Sequence, residues 1–230
     1  MTIDTLFLDA GGVLCHPNWT RVSAALADHG VEVSVDALRR AEPYAKKDID
    51  DAVIVGGTTD ASRGWIYFDK VLEHAGIPPS TETRAAWSVL HAYHRAENLW
   101  EWVPDDVLPS LARLRALGLT LVVVSNANGR LRHLFDRTNL TSSIDILLDS
   151  HEWGVEKPDP RLFRIALEQA HADAARTIHV GDLYHIDVAG ARAAGLQDAI
   201  LFDAADLYPH ADCPRVASLP ALVELLERRG

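Results

Sequence analysis

The chain has 230 residues, of which 48% are hydrophobic, and a formal net charge of −11 at pH 7. This length suits one large domain or a core with one insertion, and the apolar content is ample for a buried core. The acidic balance, without any Lys/Arg-rich tract, argues against nucleic acid or an anionic membrane as the main partner, and no apolar run approaches the roughly 20 residues that span a bilayer.

The first part of the chain predicts one strand followed by a long helical stretch. Residues 3–9 form a short apolar run, and the pair Gly11-Gly12 then gives the backbone freedom to turn. Apolar residues next recur at intervals of three and four, as in amphipathic helices. The helical stretches begin at Trp19, Trp65 and Trp87. We therefore expect an all-helical insertion over residues 17–98.

Strands and helices alternate after Pro104. The expected strands cover 119–124, 144–148, 177–181 and 198–202. The expected helices lie near 108–114, from about 129, at 160–171 and 187–194, and from about 219. Alternation of this kind implies right-handed crossovers and a parallel sheet covered by helices on both faces. The sequence thus predicts an α/β core built from residues 1–16 and 99–230.

The cysteines and the N-terminus indicate the cellular compartment in which the protein acts. Two cysteines, Cys15 and Cys213, do not make a disulfide framework in a chain of this size. The N-terminus has no basic stretch followed by a long apolar one, so no secretory signal is expected. We therefore expect a reduced, cytoplasmic protein.

Reactive side chains follow the expected strands and one loop. Asp9, Ser125 and Asp182 each come directly after a hydrophobic run, and a loop carries Lys157. In an open parallel sheet the carboxyl ends of the strands share one edge, so residues remote in sequence can meet where the strand order reverses. Two carboxylates, a hydroxyl and an ammonium are the groups needed to bind Mg²⁺ and a phosphoryl group. The pattern predicts a phosphate-handling site.

The segments around these residues resemble the four motifs of the haloacid dehalogenase superfamily. The matching stretches are Asp9-Ala10-Gly11-Gly12-Val13-Leu14, Ser125-Asn126, Gly154-Val155-Glu156-Lys157-Pro158-Asp159-Pro160, and Gly181-Asp182 followed by Asp187 and Gly190-Ala191-Arg192-Ala193-Ala194-Gly195. Each is weak alone, but four in this order at the expected strand ends make a specific pattern that covers nearly the whole chain. The resemblance implies a Rossmann-like three-layer core, a helical cap inserted after the first strand, and hydrolase activity.

The chemistry of these residues suits a covalent mechanism. A carboxylate nucleophile divides a difficult hydrolysis into two easier steps, and we assign this role to Asp9, which would form an aspartyl-phosphate with a phosphate ester. Ser125 can donate its hydroxyl to a phosphoryl oxygen, and Lys157 can neutralise the transferring group and the nucleophile. Main-chain amides are expected to add an anion-binding nest for the substrate. They lie near Gly11, Gly12 and Asn126.

Phosphoryl transfer also calls for hard oxygen ligands for Mg²⁺. Asp9, the main-chain carbonyl of Gly11, and Asp182 can supply them, with waters and substrate completing the shell. Asp187 falls near the start of the next expected helix, where it can bond backbone amides or hold a metal-bound water. We therefore place Asp187 outside the metal's own ligands.

One position departs from the family pattern. Phosphatases of this superfamily usually carry a second Asp two residues after the nucleophile as general acid and base, and here that position is Gly11. General acid–base help typically contributes ~10²–10⁴-fold in rate. Its loss should shift the preferred substrates toward good leaving groups, unless His16 or His185 donates the proton.

Three classes of function remain open. The first is a Mg²⁺-dependent phosphatase, monomeric or homodimeric, acting on a small phosphorylated metabolite. The second is carbon–halogen or carbon–phosphorus hydrolysis. The family's dehalogenases need no metal and do not retain the pair matched here by Asp182 and Asp187, while its phosphonatases use a cap lysine, for which Lys46 and Lys47 are candidates. The third is a catalytically weak binding or regulatory protein, against which the intact motifs argue.

Overall fold

The chain forms two compact units in the computed structural model, which describes residues 3–228. The sheet unit combines the described residues up to His16 with those from Val103 onward, and the helical unit is Pro17–Trp102. The second crossing between the units thus lies after Trp102, whereas the pattern of the sequence placed it after residue 98. None of the helices in the described residues combines the length and apolar character needed to cross a membrane.

The sheet unit contains six parallel strands in the order β3-β2-β1-β4-β5-β6. The strands are β1 (Thr5–Leu8), β2 (Thr120–Ser125), β3 (Ile146–Asp149), β4 (Thr177–Gly181), β5 (Asp198–Phe202) and β6 (Arg215–Val216). Since β1 lies between β2 and β4, the chain order of the strands reverses at β1, which is where such sheets place their sites. The predicted parallel α/β sheet is confirmed.

The helices of the whole described chain are numbered in chain order. They are α1 (Trp19–Ala27), α2 (Val35–Ile49), α3 (Ala52–Gly57), α4 (Asp60–His74), α5 (Thr81–Glu97), α6 (Val107–Ala116), α7 (Leu131–Arg137), α8 (Ser150–Trp153), α9 (Pro160–Ala170), α10 (Ala189–Ala193) and α11 (Leu219–Glu227). A π-helical turn, Tyr184–Val188, precedes α10, and 3₁₀ turns occur at Thr141–Ser143 and Ala174–Arg176.

The central strands are buried along their full length, because helices cover both faces of the sheet. Every residue of β1 and β4 is buried, which explains why these strands read as continuous apolar runs rather than alternating ones. The register pairs Leu8 with Val123 on one side and with Val180 on the other. The ends of β1, β2 and β4 therefore lie side by side.

The helical unit packs around aromatic side chains. Trp19 of α1 lies edge-on to Phe68 of α4, with ring centroids 5.9 Å apart, and its indole N–H donates to Glu42 Oε2 at 2.9 Å. The sequence pattern found α1, α4 and α5 but missed α2 and α3. Many charged residues and Pro43 inside α2 obscure its apolar stripe, although Leu38 and other residues of that face are buried.

Candidate active site

Asp9 follows β1 directly and begins a tight loop. Its main-chain N–H donates to Val180 O at 2.9 Å, which extends the pairing with β4, and its Oδ1 accepts from Ala10 N at 2.8 Å. The Gly12 N–H donates to Cys15 O at 2.8 Å, and Gly12 has a φ of +78°, a conformation that favours glycine. This amide is therefore used inside the loop, and its expected role in substrate binding stays a prediction.

Lys157 is buried between two carboxylates. Its side chain is 1% exposed, and Nζ lies 2.9 Å from Asp9 Oδ1 and 2.7 Å from Asp187 Oδ1. Asn126 holds the main chain of the same residue: Lys157 N donates to Asn126 Oδ1 at 2.7 Å, and Asn126 Nδ2 donates to Lys157 O at 3.0 Å. The loop that carries the ammonium is thus tied to the end of β2.

Asp187 accepts hydrogen bonds from three donors. Oδ1 accepts from Lys157 Nζ and from His179 Nε2, the latter at 2.9 Å, while Oδ2 accepts from Leu183 N at 3.0 Å. The backbone amide bond expected for Asp187 is therefore present. His179 was not among the predicted site residues, because it lies inside the buried apolar run of β4. In the sequence, only the fact that it is a histidine indicated a role in the site.

Gly181 makes room for Asp187. A Cβ added at Gly181 would lie 2.0 Å from Asp187 Cγ, a distance that no real contact allows. Gly190 in α10 has a similar function, since an added Cβ would lie 2.8 Å from the Phe163 ring and 3.0 Å from Pro158 O. Gly181 and Gly190 of the fourth motif thus permit close packing around Asp187 and the Lys157 loop.

Three carboxylates cluster at this edge. Asp9, Asp182 and Asp187 each offer an oxygen, and the three oxygens lie within 4.8 Å of one another. Burial raises the pKa of Asp9 to about 7 against the lowering effect of Lys157, and the charges of Asp187 and Asp182 add to the rise. Lys157 brings one positive charge to Asp9 and Asp187, and a divalent cation would offset further negative charge in the cluster.

The other members of the network hold their charges differently. Burial raises the pKa of Asp187, but Lys157 and His179 outweigh it and hold that pKa well below the usual range of a carboxyl. Burial lowers the pKa of Lys157, but Asp187 and Asp9 outweigh it and the pKa is raised. The Lys157 ammonium and the Asp187 carboxylate therefore form a permanent ion pair.

The donor set fits Mg²⁺. The cluster offers hard carboxylate oxygens, which Mg²⁺ prefers. Asp187 accepts from three donors, Asp9 and Asp182 complete the group of carboxylates, and the Gly11 carbonyl lies in the same loop as Asp9. The residues present thus suit a magnesium ion, and the choice of Asp9, Gly11 and Asp182 as its ligands stays a prediction.

The remaining predicted residues lie at the same edge of the sheet unit. Ser125 ends β2, is 3% exposed, and its Oγ lies 3.3 Å from Asn126 O. His185 lies in the π-helical turn after Asp182 and is half-buried, and His16 is half-buried at the end of the loop that begins with Asp9. Their roles in binding the phosphoryl group or transferring a proton stay predictions.

Comparisons with known proteins agree with this geometry. The model of the haloacid dehalogenase-like hydrolase family matches residues 3–195. The human haloacid dehalogenase-like hydrolase domain-containing protein 3 is 31% identical over 222 residues, which cover 93% of this chain and 87% of the human protein. A ribulose-1,5-bisphosphate 5-phosphatase of Halopiger xanaduensis is 32% identical over 154 residues, or 64% of this chain and 61% of that enzyme.

One solved structure matches this chain over its full length. A 2-haloacid dehalogenase of Pseudomonas syringae pv. Tomato DC3000 superposes with a TM-score of 0.61 and 26% identity, and the match covers 100% of both chains. Together with the family match, the Lys157 contacts and the acidic cluster, this shows that the chain belongs to the haloacid dehalogenase-like hydrolases.

Proposed function

We propose that this hydrolase is a Mg²⁺-dependent phosphatase that cleaves a small phosphorylated metabolite through a phosphorylated Asp9. The observation that carries the proposal is the buried contact of Lys157 Nζ with Asp9 Oδ1, inside a cluster of three carboxylates. One ammonium cannot neutralise both the cluster and an incoming phosphate dianion. A divalent cation at Asp9 and Asp182 would supply the missing positive charge and act as a Lewis acid on the phosphoryl group.

The protein groups divide the reaction into two steps. In the first, a carboxylate oxygen of Asp9 attacks phosphorus and the bond from phosphorus to the leaving oxygen breaks. The electron pair stays on that oxygen, which takes up a proton from solvent if the product is an alcohol. In the second, water attacks phosphorus and gives up a proton to solvent, the bond to Asp9 breaks, and inorganic phosphate is released with the carboxylate restored. Lys157 would neutralise the charge on Asp9 and the phosphoryl oxygens, and Ser125 would donate a hydrogen bond to one of them.

Related enzymes support phosphate esters as the substrate class. The Halopiger enzyme is named for phosphatase activity, although this chain spans only 61% of it. We assign substrate selection to the helical unit, as the family resemblance implies, and we propose a small phosphorylated metabolite as the substrate. We expect the protein to act in the cytoplasm as a monomer or homodimer.

A second candidate is hydrolysis of a carbon–halogen bond, with Asp9 attacking carbon. Two observations favour it: Gly11 replaces the acid of the phosphatases, and the Pseudomonas syringae dehalogenase matches the full length of the chain. Against it stands the cluster of three carboxylates, because a metal-free reaction at carbon does not require a group of side chains that could hold a metal ion. The phosphonatase alternative calls for a lysine in the cap, and Lys46 is one candidate. Its Nζ lies 3.1 Å from Glu42 Oε1, so this ammonium is paired with a carboxylate within the helical unit.

A substrate screen separates these candidates. The purified protein is assayed with a panel of phosphorylated metabolites, phosphonates and 2-haloacids, each with MgCl₂ and with excess chelator. We expect phosphate release that needs Mg²⁺, together with an acid-stable phosphoprotein in quenched wild-type samples and none in Asp9→Asn. Halide release in chelator would overturn the proposal in favour of the second candidate, and normal turnover by Asp9→Asn would reject the nucleophile. No turnover on any panel, with normal folding, would favour a binding protein.

A further inference from the structure

A line of four side chains runs from the interior of the sheet to the nucleophile. His179 Nε2 lies 2.9 Å from Asp187 Oδ1, Lys157 Nζ lies 2.7 Å from the same oxygen, and Lys157 Nζ lies 2.9 Å from Asp9 Oδ1. The exposed fractions are 0% for His179 and 1% for both Asp187 and Lys157. Because these side chains are buried, we expect the direction of Asp187 Oδ1 to influence where the ammonium lies.

His179 is held as a neutral donor. Its Nε2 faces a carboxylate that stays ionised, so Nε2 carries a proton, and burial lowers the pKa of the ring so that it remains uncharged. The ring of Phe163 packs edge-on against it, with centroids 4.9 Å apart. Because β4 lies between β1 and β5, the donor has a fixed position in the middle of the sheet.

We infer that His179 is a positioning residue: its hydrogen bond to Asp187 Oδ1 keeps Lys157 shared between Asp187 and Asp9. The catalytic consequence rests on the proposed function, whereas the geometric one does not. Without this bond, Oδ1 would have Lys157 as its single donor and would draw the ammonium closer. Apart from Lys157, the Leu183 N–H would then be the remaining donor to the Asp187 carboxylate, which could rotate about that hydrogen bond.

Three variants test the inference kinetically. His179→Leu removes the donor, His179→Gln keeps an N–H at similar reach, and Ile178→Ala is a matched control, since Ile178 is also fully buried in β4 but points to the opposite face. We expect kcat of His179→Leu to fall about 10- to 100-fold with KM nearly unchanged. His179→Gln should retain most of the activity, and Ile178→Ala should lose thermal stability but keep kcat. If kcat follows the loss of Tm in all three, His179 is merely structural and the inference is wrong.

A double-mutant cycle tests whether His179 acts through Asp187. In an Asp187→Asn background, His179→Leu should reduce kcat by less than twofold further, because the group it positions is already changed. If the fold-loss of kcat in the double variant equals the product of the losses in the two single variants, the inference is contradicted.

Crystal structures of the wild type and of His179→Leu decide the geometric part without any substrate. We expect the distance from Lys157 Nζ to Asp9 Oδ1 to lengthen beyond hydrogen-bonding range in the variant. An unchanged distance overturns the inference, even if the wild type is an active phosphatase. An inactive wild type with the expected movement would instead refute the proposed function alone.

Discussion

At the scale of single residues, we expect the missing side chain at Gly11 to shift the preference among phosphate esters toward good leaving groups. A phosphatase without the Asp at this position lacks the usual proton donor of the family for the leaving oxygen, and general acids contribute ~10²–10⁴-fold in rate. Gly12 has a positive φ, whereas Gly11 is not among the described glycines with one, so the φ of Gly11 does not itself require glycine.

We predict that kcat/KM rises steeply as the leaving group becomes more acidic. A stable leaving anion needs no proton in the transition state, so acyl and aryl phosphates should react much faster than glycerol phosphate. The measurement is a series of aryl phosphates at fixed pH, with and without Gly11→Asp. The variant should flatten the dependence and gain activity on alkyl phosphates. A flat dependence in the wild type that survives His16→Ala and His185→Ala, with chemistry limiting turnover, would contradict this.

The residues that sequence alone could identify are those whose type is unexpected for their place. Asp9 and Asp182 stand out because carboxylates directly follow apolar strands. His179 does not stand out, because one polar residue inside a buried strand is compatible with ordinary packing, and only its distance to Asp187 shows its function. Asn126 was expected to contribute through its amide, and only the structure shows its side chain holding Lys157.

At the scale of elements, the junction of β4 with the π-helical turn depends on a glycine. Gly181 ends β4, and the turn brings Asp187 back over it, with no space for a methyl group between them. The turn thus places a carboxylate on the backbone of the strand that precedes it.

Gly181→Ala is predicted to move Asp187 away from Lys157. The added Cβ would meet Asp187 Cγ at 2.0 Å, so the turn must shift, with a loss of about 1–3 kcal/mol in the free energy of unfolding. Activity should fall at least about tenfold, as for other partners of site residues. Gly64→Ala in α4 is the matched control, because its Cβ would meet nothing within 4 Å and should preserve or raise stability. Equal effects of both substitutions in urea unfolding would refute the steric argument.

The C-terminal end of α5 is predicted to make stability depend on pH. His94 Nδ1 accepts from Leu99 N at 3.1 Å, and burial, followed by the charges of His91 and Arg95, lowers the pKa of His94 to about 4. Between the ordinary value of 6.5 and about 4, the unfolded chain binds a proton that the folded chain does not. This contribution to stability is therefore full above pH 6.5 and is lost as the pH falls toward 4.

Urea unfolding at pH 7 and pH 5 measures this contribution. His94→Asn keeps an acceptor near the Leu99 amide but does not titrate, so the loss of unfolding free energy between the two pH values should be smaller than in the wild type. An equal loss in both proteins would show that other groups carry the dependence.

The elements that sequence could not locate are those with weak periodicity or few residues. The core strands were found to within about two residues at each end, because continuous burial leaves a continuous apolar run. Strand β6 has two residues, Arg215 and Val216, too few for any pattern. Nearly half of the residues of helix α2 are charged, and tertiary packing of its narrow buried face outweighs the presence of Pro43.

At the scale of the whole molecule, we expect a cation bound at the acidic cluster to stabilise this acidic chain. A ligand that binds only the folded state adds RT ln(1 + [L]/Kd), which is about 2.7 kcal/mol at 100 times Kd. The net charge of −11 also makes general screening by salt favourable, so the two effects need separation.

We predict that MgCl₂ raises Tm more than NaCl of equal ionic strength. Asp182→Asn should remove the specific part of the increase and leave the salt effect. The measurement is thermal unfolding followed by circular dichroism. Identical shifts of Tm with NaCl and MgCl₂ would contradict a metal site at Asp9 and Asp182.

At saturating Mg²⁺, the Asp9 carboxyl should titrate below its metal-free pKa of about 7, because a nearby cation favours the charged form.

The strand order has a consequence for synthesis on the ribosome. Strand β1 emerges first, yet its neighbours β2 and β4 begin at Thr120 and Thr177. During translation β1 has no partner strand until β2 leaves the exit tunnel, and it remains at the edge of a partial sheet until β4 follows. An apolar segment that stays unpaired for so long is open to aggregation and to chaperones. The nascent chain therefore carries Asp9, the proposed nucleophile, long before Lys157 and Asp182 exist to surround it.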